Sequence, residues 1–381
     1  MRYVTFQLAE NDYHVGLVKG DMIIDITHWM SITYGALADV IDEQLDDSPE
    51  AEEWRARRER RSEALMELYV NSEHGRRQVE KIRMLAVREL GKEIDPEEIE
   101  IQVRGMGLMV DWPDPYAMVD LIRLNVDIAA VVLAETEADL KADELLLKLS
   151  DALLAAPIPR PSKHVLCLGR NYAEHAAEST RAFGEAAPVE KPAYPAIFTK
   201  ATTAITGPYS DIPYDGNVST QIDWEGELAI VIGKEGKNIS REDAMQYVFG
   251  YTVVNDISAR DIQKRHGGQF FKGKSLDGSC PMGPWIVTAD EIPDSNNLQL
   301  TTRVNGLLKQ NANTGTMLFD VAEIIEQMSL GMTLEPGDII ATGTPAGVGH
   351  ARTPPEFLQP GDLVEVEIEN IGTIRNHIAE V

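Results

Sequence analysis

The beginning of the chain alternates between apolar and polar positions over short distances. Residues 1–27 show this alternation, and polar turn residues interrupt it near residues 10–12 and 19–21. A period of two residues places successive side chains on opposite faces of a strand. The pattern therefore predicts short β-strands joined by tight turns.

A helical pattern replaces this alternation farther along the chain. From about residue 50 to 93 charged residues dominate, and apolar residues such as Leu65, Leu68 and Val79 recur at helical spacing. This spacing predicts amphipathic helices over a small core, and we assign them no chemistry. Further helices are predicted at residues 119–134 and 137–154.

Alternating prolines between residues 157 and 161 end the helical region, because proline cannot continue a helix. Beyond them the chain reads mostly as short strands with Gly and Pro turns. We therefore predict an α+β protein with a smaller N-terminal α+β domain, residues 1–156, that carries the charged helical insertion, and a second domain, residues 157–381. Helices in the second domain are predicted near residues 173–183, 240–248 and 320–328.

Composition limits the possible partners. The chain has 381 residues, 62 acidic and 35 basic side chains, and a formal net charge of -27. This acidity argues against nucleic-acid binding, which requires Lys and Arg clusters, and no apolar run predicts a membrane span. Cys167 and Cys280 are far apart and lack ligand-like spacing, which favours a reduced, cytoplasmic protein without disulfides.

Acidic residues in two strand-like segments indicate a metal site. Glu225 and Glu227 lie two residues apart, so both point to one face of a strand, and Asp256 lies near the end of the second segment. Three oxygen ligands without His or Cys favour Mg²⁺ or Mn²⁺ over zinc. The alternative is a solvated strand face, which acidic residues form more often.

The second domain also contains residues typical of acid–base chemistry. His175 and Glu178 are three residues apart and share a face if the segment is helical, so the carboxylate can orient the imidazole as a base toward water. Lys200 ends an apolar strand, and Lys274 lies in a polar segment. The alternatives are a surface ion pair and two solvent-exposed lysines.

Two glycine-containing segments invite a ligand-binding interpretation. Residues 342–349, which include Gly343 and Thr344, form a Gly-rich turn after a predicted strand, and its backbone amides suit a small carboxylate. The alternative is a tight structural turn. Residues 268–275 match the P-loop pattern, but a polar segment precedes them and two prolines follow closely, so we expect no nucleotide binding there.

Taken together, these motifs resemble the fumarylacetoacetate hydrolase family over residues 162–381. They occur in order at residues 169–172 with His175, 196–200, 225–228, 255–261, 274–277, 281–284 and 342–349. The resemblance implies the family's mixed β-roll fold, usually dimeric, with a divalent metal in a cleft that binds a small molecule. Residues 1–155 match this family only loosely.

The resemblance also implies roles for individual residues. Glu225, Glu227 and Asp256 would hold Mg²⁺ or Mn²⁺, and His175 with Glu178 would lie on a lid over the substrate. Lys200 and Lys274 would join that pair as catalytic residues. The expected substrate-binding residues are Arg170, Arg260, Gln263, Gly343 and Thr344.

The implied chemistry leaves three reactions open. Residues 165–173 contain no acid where the enzyme that names the family has a further aspartate ligand, which favours smaller 2-oxo acids or hydroxymuconate-type dioates. An enolate could then arise by C–C hydrolysis of an acylpyruvate or fumarylpyruvate, by isomerisation of a 2-hydroxyhepta-2,4-diene-1,7-dioate, or by decarboxylation of oxaloacetate. The non-enzyme alternative, a decayed metal-binding module, conflicts with the intact His175, Glu178, Lys200 and Lys274.

The number of basic residues near this site indicates the charge of the substrate. Arg170, Lys200, Arg260 and Lys274 provide more positive charge than one carboxylate requires. They predict a substrate with a second carboxylate, such as a C5–C8 dioate. The alternative is that they neutralise the acidic ligands as structural ion pairs.

Overall fold

The computed structural model describes most of the chain, namely residues 1–10, 12–34, 48–71, 117–124, 128–183 and 191–381 with positions 38, 41, 42 and 45. The chain forms two compact units, one of Met1–Gln7 with Leu153–Val381 and one of Leu8–Ala152. The domain boundary at residues 156 and 157 stays a prediction. Among the described residues, none of the helices combines the length and hydrophobicity needed to cross a bilayer.

The N-terminal strands follow the predicted alternation. They are β1 (Arg2–Ala9), β2 (Asp12–Lys19), β3 (Met22–Asp25) and β4 (Leu146–Lys148), and β2, β3 and β4 pair antiparallel. Most of β1 belongs to the larger unit. Strands β2, β3 and β4 belong to the smaller unit, together with helices α1 (Ile26–Tyr34), α2 (Pro49–Asn71), α3 (Ala117–Leu124), α4 (Ile128–Ala134) and α5 (Glu137–Ala142). The predicted strands are thus confirmed over residues 2–25, whereas residues 26–27 already belong to α1. Residue 11 of the first predicted turn and the helical pattern at 72–93 lie outside the described residues.

The helix predicted over residues 137–154 is wrong beyond Ala142. The chain there forms β4, a 3-10 turn at Leu149–Asp151 and the short strand β5 (Leu153–Leu154). Leucine spacing favoured a helix, but β4 pairs with β3, and Leu154 of β5 lies opposite Phe6. Strand pairing with partners distant in sequence outweighs the weak local helix propensity.

The larger unit contains most of the strands. They are β6 (Val165–Gly169), β7 (Ala196–Lys200), β8 (Ile205–Thr206), β9 (Ile212–Tyr214), β10 (Ile222–Asp223), β11 (Gly226–Ile232), β12 (Val248–Asn255), β13 (Ser258–Ala259), β14 (Cys280–Thr288), β15 (Gln299–Val304), β16 (Leu307–Asn313), β17 (Ile339–Ala341), β18 (Leu363–Ile368) and β19 (Gly372–Glu380). Its helices are α6 (Ala173–Phe183), α7 (Arg260–Arg265), α8 (Phe271–Lys274) and α9 (Val321–Ser329). The mixture of sheets and few helices confirms the predicted α+β class.

Two sheets enclose the main core of this unit. One runs in the order β1, β14, β12, β11, β17, β6 and β7, and the other in the order β16, β15, β18, β19 and β9. Leu228 and Ile230 of β11 share a core with Leu300, Val366 and Ile324 from the second sheet and α9. Every residue of β11 is buried, which explains why its sequence is a continuous apolar run after Glu227.

The pairing of these strands brings distant segments to one place. Gly226 at the start of β11 lies opposite Asn255 at the end of β12, so the residues just beyond each are neighbours. The end of β17 lies beside β11 and parallel to β6. After β7 the short strand β8 pairs with β14 at Cys280. Lys200, the last residue of β7, lies beside Ile257, which follows the end of β12. Both cysteines are buried and free.

Candidate functional site

Three carboxylates converge where β11 and β12 meet. Glu225, Glu227 and Asp256 each offer an oxygen within 4.8 Å of the others, and all three are buried. Glu225 precedes β11 instead of lying within it, but the ladder continues past the strand ends through Asp256 N, which donates to Glu225 O at 2.8 Å. The structure therefore brings together the three residues that the sequence predicted as metal ligands.

Three cations surround this carboxylate cluster. Lys274 Nζ lies 2.5 Å from Glu225 Oε2 and 2.6 Å from Asp256 Oδ2. Lys200 is fully buried, with Nζ 2.8 Å from Asp256 Oδ1. Arg260 Nη2 lies 2.5 Å from Glu225 Oε1. The two lysines expected in the site are buried in its interior, and neither is a solvent-exposed spacer.

Neighbouring charges shift the pKa values of the two glutamates in opposite directions. Burial opposes ionisation of Glu225, but the charges of Lys274 and Arg260 outweigh it and hold its pKa well below the usual range. Burial and the charges of Asp256 and Glu225 raise the pKa of Glu227 well above its ordinary value. Among the residues that the structure describes, none offers a cation within salt-bridge distance of Glu227, whose Oε2 accepts a hydrogen bond from Gly343 N at 2.8 Å.

The donor set fits a hard divalent cation. It consists of carboxylate oxygens only, which Mg²⁺ and Mn²⁺ prefer. Asp256 Oδ1 is buried and accepts no hydrogen bond, although Lys200 Nζ lies 2.8 Å away as its ion-pair partner. The stronger sign is Glu227, a buried carboxylate without a close counter-ion, which a divalent cation would stabilise.

His175 and Glu178 occupy α6, as the helical spacing predicted. His175 Nδ1 lies 3.2 Å from Glu178 Oε1, and the same oxygen accepts a hydrogen bond from Gly347 N at 2.9 Å. His175 is 5% exposed. The pair is therefore not a surface ion pair, because the Gly-rich turn fixes Glu178, and Glu178 in turn orients the imidazole ring.

A small cavity of about 30 Å³ lies beside the carboxylate cluster. Its lining residues are Leu168, Gly169, Arg170, His175, Phe198, Glu225, Arg260, Gln263, Phe270, Lys274 and Thr344. The cavity thus brings together most of the predicted catalytic and substrate-binding residues. The predicted site residues outside its lining are Glu178, Lys200, Glu227, Asp256 and Gly343. Arg170 has a left-handed backbone with φ of 56°, a strained conformation that is frequent at functional sites.

The Gly-rich turn binds carboxylates through its backbone, but they are the protein's own. Gly343 N donates to Glu227 and Gly347 N donates to Glu178. A Cβ at Gly347 would lie 2.1 Å from Lys309 O, so only glycine fits there. Thr344 Oγ1 donates to Gly226 O at 3.0 Å, which joins the turn to the strand that carries the acidic residues.

Sequence reasoning missed two buried residues that hold the site. Asp223 is fully buried, accepts from Gly349 N and His350 N, and binds Arg260 Nε at 2.8 Å. Its position two residues before Glu225 extends the acidic alternation and could have revealed it. Gln310 accepts from Gly226 N at 3.0 Å and donates to Thr344 Oγ1 at 2.7 Å, and no local pattern marks it.

The segment that matches the P-loop pattern has a different context in the structure. Helix α7 precedes it where a P-loop requires a buried strand, and β14 follows where a P-loop requires a helix. Its Lys274 binds Glu225 and Asp256. The geometry thus agrees with the expectation that this segment binds no nucleotide.

The part of the chain that carries the site matches a known protein family. Residues 164–379 match the fumarylacetoacetate (FAA) hydrolase C-terminal family. Oxaloacetate tautomerase YisK of Bacillus subtilis is 51% identical over 239 residues, which cover 62% of this chain and 77% of that protein.

Two solved structures extend the comparison to the fold. A fumarylacetoacetate hydrolase from the psychrophilic Exiguobacterium antarcticum aligns over 100% of both chains with a TM-score of 0.65 and 31% identity. A 2-hydroxyhepta-2,4-diene-1,7-dioate isomerase from Mycobacterium marinum is 42% identical over 62% of this chain and 81% of its own, with a TM-score of 0.52. These likenesses confirm the predicted fold, a catalytic domain of this type with an N-terminal domain. The chain belongs to the fumarylacetoacetate hydrolase family.

Proposed function

We propose that this enzyme is divalent-metal-dependent and interconverts the keto and enol forms of a short dicarboxylic 2-oxo acid such as oxaloacetate. The observation that carries the proposal is the cavity, where a histidine oriented by a carboxylate faces a cluster of buried carboxylates and cations. Two relatives support the choice, since both a tautomerase and an isomerase transfer protons without any net loss or gain of atoms.

The charge of the cluster supports the need for a metal ion. The carboxylates Asp223, Glu225, Glu227 and Asp256 outnumber the cations Lys200, Arg260 and Lys274 by one. When all four carboxylates are ionised, an anionic substrate would meet net negative charge, and a divalent ion both favours that ionised state and reverses the sign of the charge. Glu225, Glu227 and Asp256 would hold Mg²⁺ or Mn²⁺, which when bound polarises the substrate's carbonyl as a Lewis acid.

Proton transfer falls to His175. With Nδ1 directed at Glu178, the imidazole uses Nε2 to exchange a proton with the substrate. Nε2 removes a proton from C3, next to the carbonyl, and the electron pair of that C–H bond becomes an enolate. The same nitrogen returns the proton to the carbonyl oxygen, which gives the enol. Lys274 lines the cavity and places positive charge where the enolate develops.

Hydrolysis of an acylpyruvate is the second candidate. The same His175–Glu178 pair could deprotonate a water molecule that attacks the distal carbonyl. The likeness over the whole chain to a fumarylacetoacetate hydrolase favours this candidate. Decarboxylation of oxaloacetate needs no nucleophile, so it would depend least on His175.

The decisive experiment compares these reactions in one preparation. Enol absorbance follows oxaloacetate tautomerisation, pyruvate formation follows decarboxylation, and loss of an acylpyruvate follows hydrolysis, each with Mg²⁺, with Mn²⁺ and with chelator. We expect His175→Gln to slow tautomerisation roughly 10²–10⁴-fold, the usual contribution of a general base. The matched control is His164→Gln, since His164 is an exposed histidine of the same unit that stacks on Phe271.

Three outcomes would decide against the proposal. Full tautomerisation by verified metal-free protein would remove the metal from the reaction. Unchanged tautomerisation in His175→Gln would remove the histidine. Faster turnover of an acylpyruvate than of oxaloacetate would make hydrolysis the function instead.

A further inference from the structure

The site cavity has an apolar wall that the proposed proton transfer does not use. Leu168, Phe198 and Phe270 form it, opposed in character to the charged residues that line the remainder. Phe198 lies on β7, and Phe270 lies just before α8, within the segment that matches the P-loop pattern. These side chains offer no hydrogen-bond donor to a substrate carboxylate.

Contacts on both sides hold the two rings in place. Their centroids are 5.4 Å apart with an interplanar angle of 83°, an edge-to-face arrangement that aromatic pairs prefer. Lys274 Nζ lies 5.1 Å from the Phe198 centroid, so a catalytic cation packs against that ring. Phe270 reaches across to the end of β6, where a Cβ at Gly169 would lie 3.4 Å from its Cε2 atom.

The rings and the charged residues line the same cavity. A substrate whose first carboxylate and carbonyl face the charged residues therefore meets the rings with its far end. In a longer dioate the second carboxylate would lie against apolar carbon, where desolvation without a partner is costly.

We infer that Phe270, supported by Phe198, sets the upper limit on substrate length and restricts the enzyme to four-carbon 2-oxo diacids. The inference rests on the proposed function and deepens it, because it selects short diacids over the longer dioates that the basic residues alone would accept. Phe270 acts by exclusion: its ring occupies the volume that the additional methylene groups and the distant carboxylate of a longer acid would need.

The test removes the ring and varies the length of the acid. Exchange of C3 protons with deuterium oxide, followed by NMR, reports enolisation equally for 2-oxo diacids of four, five and six carbons. We expect Phe270→Ala to raise the kcat/KM for the longer acids relative to oxaloacetate by about tenfold or more, the scale of selectivity that a methylene in an apolar pocket provides. Gly169→Ala, which narrows the same space, should shift the ratio in the opposite direction.

The neighbouring residue provides the matched control. Phe271 is 43% exposed, stacks on His164 and does not line the cavity, so Phe271→Ala should leave the ratio unchanged. The inference is wrong if Phe270→Ala leaves the ratio unchanged or if both alanine variants change it equally. Phe270→Leu provides a folded alternative if the alanine variant does not fold.

A second measurement separates this inference from the proposed function. If the wild-type enzyme exchanges none of the acids, the proposed function fails. Calorimetric titration of the Mg²⁺-loaded protein with malonate, succinate, glutarate and adipate then measures length selectivity without turnover. A shift toward the longer acids in Phe270→Ala would still support the inference, and identical profiles would overturn it.

Discussion

Both units of this protein bury charged side chains, but only one of the two ionic networks is balanced. In the N-terminal unit Arg57 Nη2 lies 2.8 Å from Asp143 Oδ1, and Arg61 lies 2.8 Å from both Glu135 Oε1 and Asp143 Oδ2. Both arginines bind a carboxylate through two nitrogens, so these two arginines and two carboxylates are paired. Arg57 makes longer contacts of 3.8 and 3.9 Å to Glu53 and Asp139, which are more exposed and are not counted in this network. Such a network holds helix α2 in place and needs no further ion.

The network in the larger unit uses the same kinds of residues but has one carboxylate more than it has cations. Its carboxylates outnumber its cations by one, and Glu227 has only the Gly343 amide as a hydrogen-bond partner among the described residues. An uncompensated buried carboxylate is costly in a protein without a further partner. The comparison teaches that the balance of a buried network, more than its size, distinguishes a binding site from a structural ion-pair cluster.

Breaking the balanced network should affect stability most. Arg61→Met leaves the partly buried Glu135 without its two-nitrogen partner and removes one of the two cations of Asp143, so we expect the N-terminal unit to lose about 3 kcal/mol in free energy of unfolding, the low end for a broken buried pair. Amide hydrogen exchange in β2 and β3 measures that loss. Arg60→Met is the control, because Arg60 is the exposed neighbour on the same helix. Equal protection in Arg61→Met and wild-type protein would show that the buried network contributes nothing.

Removing the unbalanced charge should have the opposite effect on stability and a large effect on activity. Glu227→Gln removes a metal ligand, and we expect turnover to fall roughly 10²–10³-fold, since metal catalysis contributes several kcal/mol. At a pH above the raised pKa of Glu227, the metal-free variant should melt at a higher temperature than metal-free wild type, because no buried charge remains uncompensated. Glu367→Gln, an exposed site on β18, is the control for both measurements. Unchanged Mg²⁺ affinity in Glu227→Gln would contradict the assignment.

Local patterns were sufficient to predict the parts of the site that lie close together in sequence. The spacing of Glu225 and Glu227 and of His175 and Glu178 follows directly from strand and helix periodicity. Gln310 could not be predicted, because its role depends on hydrogen bonds to Gly226 and Thr344, which are distant in sequence.

The same difference between local patterns and distant contacts explains the wrong helix prediction beyond Ala142. Residues 146–148 contain two adjacent leucines, which do not distinguish a helix from a strand, and their pairing with β3 decides between the two. The helix predicted near residues 240–248 is likewise wrong, because the chain there forms only a 3-10 turn at Ala244–Tyr247. By contrast, α9 at Val321–Ser329 matches its prediction because the N-cap Asp320, whose side chain accepts from Glu323 N, is a local signal.

We expect the smallest effect from a buried pair in the N-terminal unit, whose contribution to stability should depend on pH. His14 Nδ1 lies 2.7 Å from Asp25 Oδ2, and although burial opposes protonation, the hydrogen bond and charge of Asp25 outweigh it and raise the pKa of His14 above 6.5. The folded unit then binds the proton more tightly than the unfolded chain does. The contribution of the His14–Asp25 pair to stability is complete below the unfolded pKa of His14 and is lost as the pH rises through its folded pKa.

We therefore expect the difference in amide protection of β2 and β3 between wild type and His14→Gln to be largest in mild acid and to shrink toward alkaline pH. His28→Gln, at a partly exposed histidine of the same unit, is the control substitution. A difference that is constant across pH would mean that His14 stabilises the unit by packing alone.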